Sequence, residues 1–353
     1  MTRMTRPMPP ALPGRYFTDP QIYGRELKTV WRSTWQWVGR SEDLPNPGDY
    51  LSCTLGEEPV FVIRTTGGEL RAMHNVCPHR GARLLPEARG NCQKLQCPYH
   101  AWTFNTEGRL LAVLQPGWFP ELDKANIRLS PARVDTWGGF IFINPDPEGE
   151  SLAAYLAGFP EYLSDWPHRL EDLREVNRAA YEEPINWKFV VENYVEDYHF
   201  SIAHNGSLVP LFDVQSIRTR PTGRHVPILV PYAKQPPADP VLRREWEAGG
   251  ISYQGFVFPN MMVNTSPDSI SVWRVVPLGP ERTRLETITY QTPHQYALSP
   301  YVQESWAQVM EEDFAVCRLL QLGVNSRAYQ VGELAVEHEL GVAHFHKVMA
   351  DYL

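Results

Sequence analysis

The sequence predicts an α+β protein in which a small, mostly antiparallel β domain sits near the N-terminus of a larger mixed domain. Three observations predict it. First, Ile22, Leu27, Val30, Trp31 and Trp35 fall on or near one face of an amphipathic helix over residues 19 to about 40. Second, from about residue 41 to 145 the pattern becomes short β-type runs between Gly, Pro and Asn punctuation, among them 59–64, 70–75, 101–105 and 139–144. Third, helical patterns return after Pro147, most clearly over 184–204. The expected organisation is an N-terminal arm and helix (1–40) belonging to the larger domain, a β domain (41–147) and the larger domain proper (148–353).

Within that larger domain, 205–250 is rich in Pro, Arg and Val without a clear period, the mark of a long functional or irregular connection. Strand alternation resumes over 251–264, 269–276 and 284–291. Ser299 and Pro300 then suit an N-cap and N1 pair that opens a helix running to about Leu322.

Composition excludes several classes. The net charge of −8 provides no basic patch for nucleic acid or an anionic membrane. No apolar run approaches the ~18 residues a membrane span needs. The N-terminal stretch carries Arg3, Arg6 and Arg15 without an apolar core, so a secretory signal is not expected and the cytoplasm is. There is no Rossmann-type glycine fingerprint and no P-loop, so no flavin, nicotinamide or nucleotide site is expected. Five cysteines, an odd count, argue against a disulfide framework.

Two of those cysteines have metal-ligand spacing. Cys77-Pro-His79-Arg-Gly81 is followed by Cys97-Pro-Tyr-His100-Ala-Trp102, which reads Cys-x-His, seventeen residues, Cys-x-x-His. Two thiolates and two imidazoles can hold Zn²⁺, or a [2Fe–2S] cluster with histidine on one iron. Zinc modules pair Cys with Cys and His with His at close spacing. Here each loop supplies one of each, which suits two cysteines on a buried iron and two imidazoles on an outer one. Pro78, Gly81 and Pro98 suit backbone folded tightly around sulfides. Cys53, Cys92 and Cys317 are expected to be buried or free thiols.

A second constellation lies on the helical stretch Asn186-Trp-Lys-Phe-Val-Val-Glu192-Asn193-Tyr-Val-Glu196-Asp197-Tyr198-His199, which continues to His204. Glu196 and His199, three apart, would share a helix face. His204 lies five residues on, roughly 140° around an ideal helix, so it joins His199 only if the helix loosens or ends between them. Two histidines and a carboxylate make the facial triad that leaves Fe(II) open positions. Asp313 is the candidate carboxylate, adjoining the apolar face Met310, Phe314 and Cys317 of the C-terminal helix, while Glu311 and Glu312 are expected to meet solvent. The remaining histidines, including the His344-Phe-His346 pair, are expected in surface or packing roles.

The paired Cys/His loops resemble the Rieske motif of ring-hydroxylating and related oxygenases. The motif Asn-Trp-Lys-x₄-Glu-Asn-Tyr-x-Glu-x-Tyr-His-x₄-His, with the later Glu-Asp-x₃-Cys, resembles their catalytic domain, nearest the branch of carnitine, glycine betaine and stachydrine oxygenases. The resemblance runs from about residue 15 to the end. It implies a β-rich Rieske domain inserted in a helix-grip catalytic domain, a curved antiparallel sheet embracing the long helix of Asp313. It implies a [2Fe–2S] cluster on Cys77, His79, Cys97 and His100, and mononuclear Fe(II) on His199, His204 and Asp313. Glu196 would bridge His199 to the cluster ligand His100 of a neighbouring subunit in a head-to-tail homotrimer. One departure matters: where that branch has cysteines beside the bridging acid and after the first histidine, this chain has Asp197 and Phe200. Asp197 therefore competes with Glu196 for the bridging role.

The activity implied is that of a terminal oxygenase taking electrons from a separate reductase, with or without a ferredoxin, to hydroxylate or demethylate a small organic molecule such as a quaternary ammonium compound. Two other readings are an aromatic-ring dioxygenase α subunit and a Rieske electron carrier without oxygenase activity. Tyr194, Phe200, Phe212, Phe256, Phe258 and Trp273 are candidate pocket aromatics, and each could equally be core.

Overall fold

The computed structural model describes residues 11–292 and 300–353, with side chains of Val241, Arg244 and residues 300–305 left out of the description. The expected N-cap Ser299, His294 and the first ten residues of the arm lie outside the described residues. The chain divides into two compact units, 27–155 and 1–26 with 156–353. The boundaries fall at 26/27 and 155/156 rather than at 40/41 and 147/148.

In the unit 27–155, the amphipathic helix is shorter than its apolar pattern suggests. It spans Pro20–Ser33 and gives way to a strand, Gln36–Arg40, whose residues are all buried. A run buried on every side satisfies either period, so Trp35 falls beyond the helix end and Trp37 lies in the strand instead. That strand edges a seven-stranded antiparallel sheet ordered Gln36–Arg40, Phe140–Asn144, Pro131–Trp137, Leu70–His74, Glu58–Arg64, Asp49–Leu55, Arg89–Asn91. A smaller three-stranded sheet joins Leu95–Gln96, Thr103–Phe104 and Leu110–Ala112. Phe61, Ile63, Leu84, Leu95, Trp102 and Phe104 pack one core around Cys77 and Cys97.

The second unit is built on a seven-stranded antiparallel sheet, Arg174–Glu183, Arg282–Gln291, Ser269–Gly279, Met261–Thr265, Ile251–Val257, Val226–Pro231, Arg218–Thr219. The last two strands and a helix, Pro240–Ala248, lie where the sequence shows no period. Val226-Pro-Ile-Leu-Val-Pro231 has three apolar residues between its prolines, and its partner strand Ile251–Val257 follows only after the helix. Neither local alternation nor a hairpin turn marks such a pairing. Gly255 is dictated by packing: a Cβ there would sit 2.8 Å from the Phe159 ring.

The 25-residue helix Pro300–Val324 lies against this sheet. Phe314 meets Tyr181 at 5.5 Å between ring centroids, and Arg318 grips Glu183 through two bonds of 2.7 Å. This matches the expected helix-grip arrangement. The helix Trp187–Tyr194, capped by the Asn186 side chain on Lys188 N, packs beside it, with Cys317 Sγ 3.6 Å from the Phe189 carbonyl. Residues 11–26 complete the unit. Phe17 stacks on Phe189, and Glu26 accepts from both Lys188 Nζ (2.6 Å) and Trp187 Nε1 (2.8 Å) in full burial.

Candidate functional site

In the unit 27–155, the two Cys/His loops repeat one backbone device. Cys77 N donates to Ala82 O and Gly81 N to Cys77 O; Cys97 N donates to Trp102 O and Ala101 N to Cys97 O. Four residues past each cysteine the chain turns left-handed, at Gly81 (φ 77°) and at Ala101 (φ 54°). Glycine meets that demand without cost, and alanine meets it with strain. The loops bury both thiols, Cys77 at 1% and Cys97 at 2% exposure, and leave both free. Burial pushes the Cys77 thiol up, and the neighbouring Cys97 adds to that.

The imidazoles of His79 and His100 sit edge-to-face, 4.7 Å apart, and His79 stacks on Trp102. Their Nδ1 atoms are buried without a hydrogen-bond partner. A buried imidazole nitrogen with no partner is costly unless a metal takes its lone pair. Among the described residues, only His199, His204 and Asp313 bring three donor atoms close enough together for a single ion. One thiol and one imidazole from each of two paired loops suit two irons, the thiols on one and the imidazoles on the other. The donor set fits a [2Fe–2S] group.

The second unit builds the other centre. The helix Trp187–Tyr194 ends before Glu196, and only a short turn, Phe200–Ala203, follows His199. The expected single helix is broken ahead of His199, not between the two histidines: Ala203 N–H donates to His199 O and His204 N–H to Phe200 O, and His199 and His204 converge from the two ends of that helical turn. Their rings lie 5.0 Å apart. Asp313 Oδ1 is 2.9 Å from His204 Nε2 and 3.5 Å from His199 Nε2, and one donor atom from each of the three residues lies within 4.8 Å of the others. The structure thus brings together the three residues named from the sequence.

Burial alone would lower the His199 pKa, but hydrogen bonds with Asp313 and Glu196 outweigh it and raise it to about 9. His204 is raised through the same contest, again with Asp313 as its main partner, and Asp313 is lowered despite burial by its bonds with both histidines. Two imidazoles facing one carboxylate are a donor set suited to a divalent cation, whose binding would displace their protons. The residues fit a facial-triad iron.

Glu196 turns back on His199, with Oε1 meeting Nδ1 and Oε2 accepting from the backbone N–H groups of Tyr198 and His199. Asp197 points elsewhere: its Oδ1 meets His338 Nδ1 at 2.6 Å. Glu311 pairs with Arg318 near the surface, as expected. Glu312 is only partly open to solvent. Its side chain is 23% exposed, and Oε2 takes bonds from His204 Nδ1 (2.8 Å) and Ser207 Oγ (2.6 Å), while Gln308 Nε2 donates to Oε1 (2.9 Å). Helical periodicity marks that flank as open because it cannot show the 204–207 turn covering it.

Among the candidate pocket aromatics, Phe212, Phe256 and Phe258 are core. Phe200 lies against the His199 and His204 rings, and Tyr194 meets Trp273 edge-on at 5.4 Å. His346 pairs with Glu192 at 2.8 Å, and His344 meets the Gly223 carbonyl at 3.1 Å. No helix among the described residues is long and apolar enough to cross a membrane.

Comparison with known proteins agrees with both centres. Residues 34–122 match the Rieske [2Fe-2S] domain, and residues 170–353 match the ring hydroxylating alpha subunit (catalytic domain). The chain is 28% identical to the glycine betaine monooxygenase oxygenase subunit of Chromohalobacter salexigens, over 95% of this chain and 84% of that protein. It is also 28% identical to the carnitine monooxygenase oxygenase subunit of Escherichia coli (strain K12), over 96% and 92%. The quaternary ammonium Rieske monooxygenase CntA in complex with L-carnitine superposes with a TM-score of 0.83 at 27% identity, covering 98% of this chain and 96% of that one. Naphthalene 1,2-dioxygenase from Rhodococcus sp. shares the fold at a TM-score of 0.78 and 20% identity, over 97% and 94%. With its cluster loops, its iron triad and these matches in agreement, the chain belongs to the ring-hydroxylating alpha-subunit family and is the oxygenase subunit of a Rieske [2Fe–2S] system.

Proposed function

We propose that this oxygenase hydroxylates or oxidatively demethylates a quaternary ammonium or N-methyl compound. The observation that carries the reading is whole-length similarity to proteins acting on glycine betaine and carnitine, against a fold-only likeness to an arene dioxygenase. Tyr194, at the end of the helix Trp187–Tyr194, and Trp273, on the sheet, meet edge-to-face and add two rings of the kind that attract a trimethylammonium group.

In this reading Cys77 and Cys97 hold the inner iron of the cluster, His79 and His100 the outer one, and His199, His204 and Asp313 the mononuclear iron. Those groups, when bound, supply one-electron transfer and dioxygen activation. The chain's own residues do the rest. Burial of the thiols would keep water from the inner iron, and Glu196 fixes the His199 ring by accepting a hydrogen bond from its Nδ1–H. Glu196 is also the carboxylate that reaches a neighbouring subunit's cluster in a head-to-tail homotrimer. A reductase, with or without a ferredoxin, supplies the electrons, since the sequence has no flavin or nicotinamide fingerprint. The cytoplasm suits a chain whose five cysteines form no disulfide.

The test is a substrate panel with a surrogate reductase, scored by coupled O₂ consumption and product mass. Turnover of carnitine, betaines or other N-methyl compounds, with no cis-diol from arenes, supports the reading. The reverse result overturns it.

A further inference from the structure

The geometry points to Glu312 as the positioning residue of the mononuclear iron site, the carboxylate that orients His204 as Glu196 orients His199. The inference rests on His204 being an iron ligand, as proposed above.

A metal-binding imidazole must offer a lone pair from one nitrogen and keep its proton on the other. His204 Nε2 faces Asp313 Oδ1 and Nδ1 faces Glu312 Oε2, on opposite sides of the ring. A carboxylate at 2.8 Å holds the proton on Nδ1, which leaves Nε2 as the donor atom and makes it more basic. His204 is 1% exposed at its side chain, so no water competes for that proton. His199 has the mirror arrangement, with Glu196 at Nδ1 and Asp313 at Nε2.

Glu312 is itself held. Ser207 Oγ anchors the oxygen that meets His204, and Gln308, one turn back on the same helix, holds the other. The bonds from His204 and Ser207 tie the 204–207 turn to the helix Pro300–Val324, which also carries Asp313. One helix therefore provides a ligand to the iron and the orienting group for a second ligand, from adjacent residues. A clasp serving only stability would need no carboxylate on the ring nitrogen opposite the metal.

The test uses full-length protein with its cluster loaded. Glu312→Ala, Glu312→Gln and Ser207→Ala are compared with His204→Ala. The readouts are mononuclear iron retained against a ferrous chelator, the electron paramagnetic resonance of the nitrosylated ferrous site, and visible cluster absorption as the folding check. Glu312→Ala should weaken iron retention about 10–100-fold and change the resonance, with Glu312→Gln and Ser207→Ala following to a smaller extent. Wild-type retention and resonance in Glu312→Gln and Ser207→Ala would overturn the inference, even if Glu312→Ala fails to fold. His204→Ala separates the two readings: if it keeps its iron, the ligand assignment fails; if it alone loses iron, only the role of Glu312 does.

Discussion

At the scale of single residues, the neighbouring acids Glu196 and Asp197 have opposite fates that the sequence does not separate. Glu196 is committed to His199 and Asp197 to His338. Glu196→Gln should therefore keep the cluster spectrum and most of the iron while losing reductase-driven turnover. Asp197→Asn should keep turnover, and activity loss confined to Asp197→Asn would reverse the assignment. Asp313→Ala should lose mononuclear iron by more than the ~10–100-fold typical of a supporting residue, with cluster absorption unchanged. Iron analysis beside the visible spectrum checks it. The ligands were legible because metal chemistry constrains residue type and spacing. Glu312 was not, because its partners His204 and Ser207 come from a turn more than a hundred residues earlier, and helical period reports only which side of a helix is apolar.

At the scale of elements, the buried pair Lys188–Glu26 joins the start of the chain to the helix that leads into the iron site. Removing one partner leaves an uncompensated buried charge, so Lys188→Met should cost about 3–5 kcal/mol by urea unfolding. Lys188→Met with Glu26→Gln should recover much of that, because the amide still accepts from Trp187 Nε1. Equal losses in both would contradict the charge argument. The helix Pro240–Ala248 is tied down differently: Glu245 accepts from Tyr232 (3.0 Å) and Ser266 (2.9 Å). Burial raises its pKa above the usual 4.5, against the lowering effect of those two bonds. A folded-state pKa raised above the unfolded value gives stability that is full below pH 4.5 and is lost as pH rises through the folded value. Wild type should thus lose stability relative to Glu245→Gln between pH 4.5 and neutrality, and parallel thermal unfolding curves across that range would refute it. The central strands and the 300–324 helix could be read because their periods are clean. The strand Val226–Pro231 could not, since its pairing is decided by a neighbour beyond an intervening helix.

At the scale of the whole molecule, the proposed trimer makes a prediction that no single chain can satisfy. A Cys77→Ser subunit lacks the cluster, and an Asp313→Ala subunit lacks the iron triad. Each homotrimer should be inactive, yet co-assembled subunits should regain turnover, since a neighbour's cluster serves the intact iron. Continued inactivity of verified mixed assemblies would favour transfer within one chain. The division of the chain adds a consequence for supply. The cluster-loop unit, 27–155, interrupts a unit that begins before it and resumes after it. Every polypeptide a ribosome finishes therefore carries one set of ligands of each kind, and the ratio between them cannot drift with gene expression. The proposed external electron donors are the part of the system left free to vary against that fixed ratio.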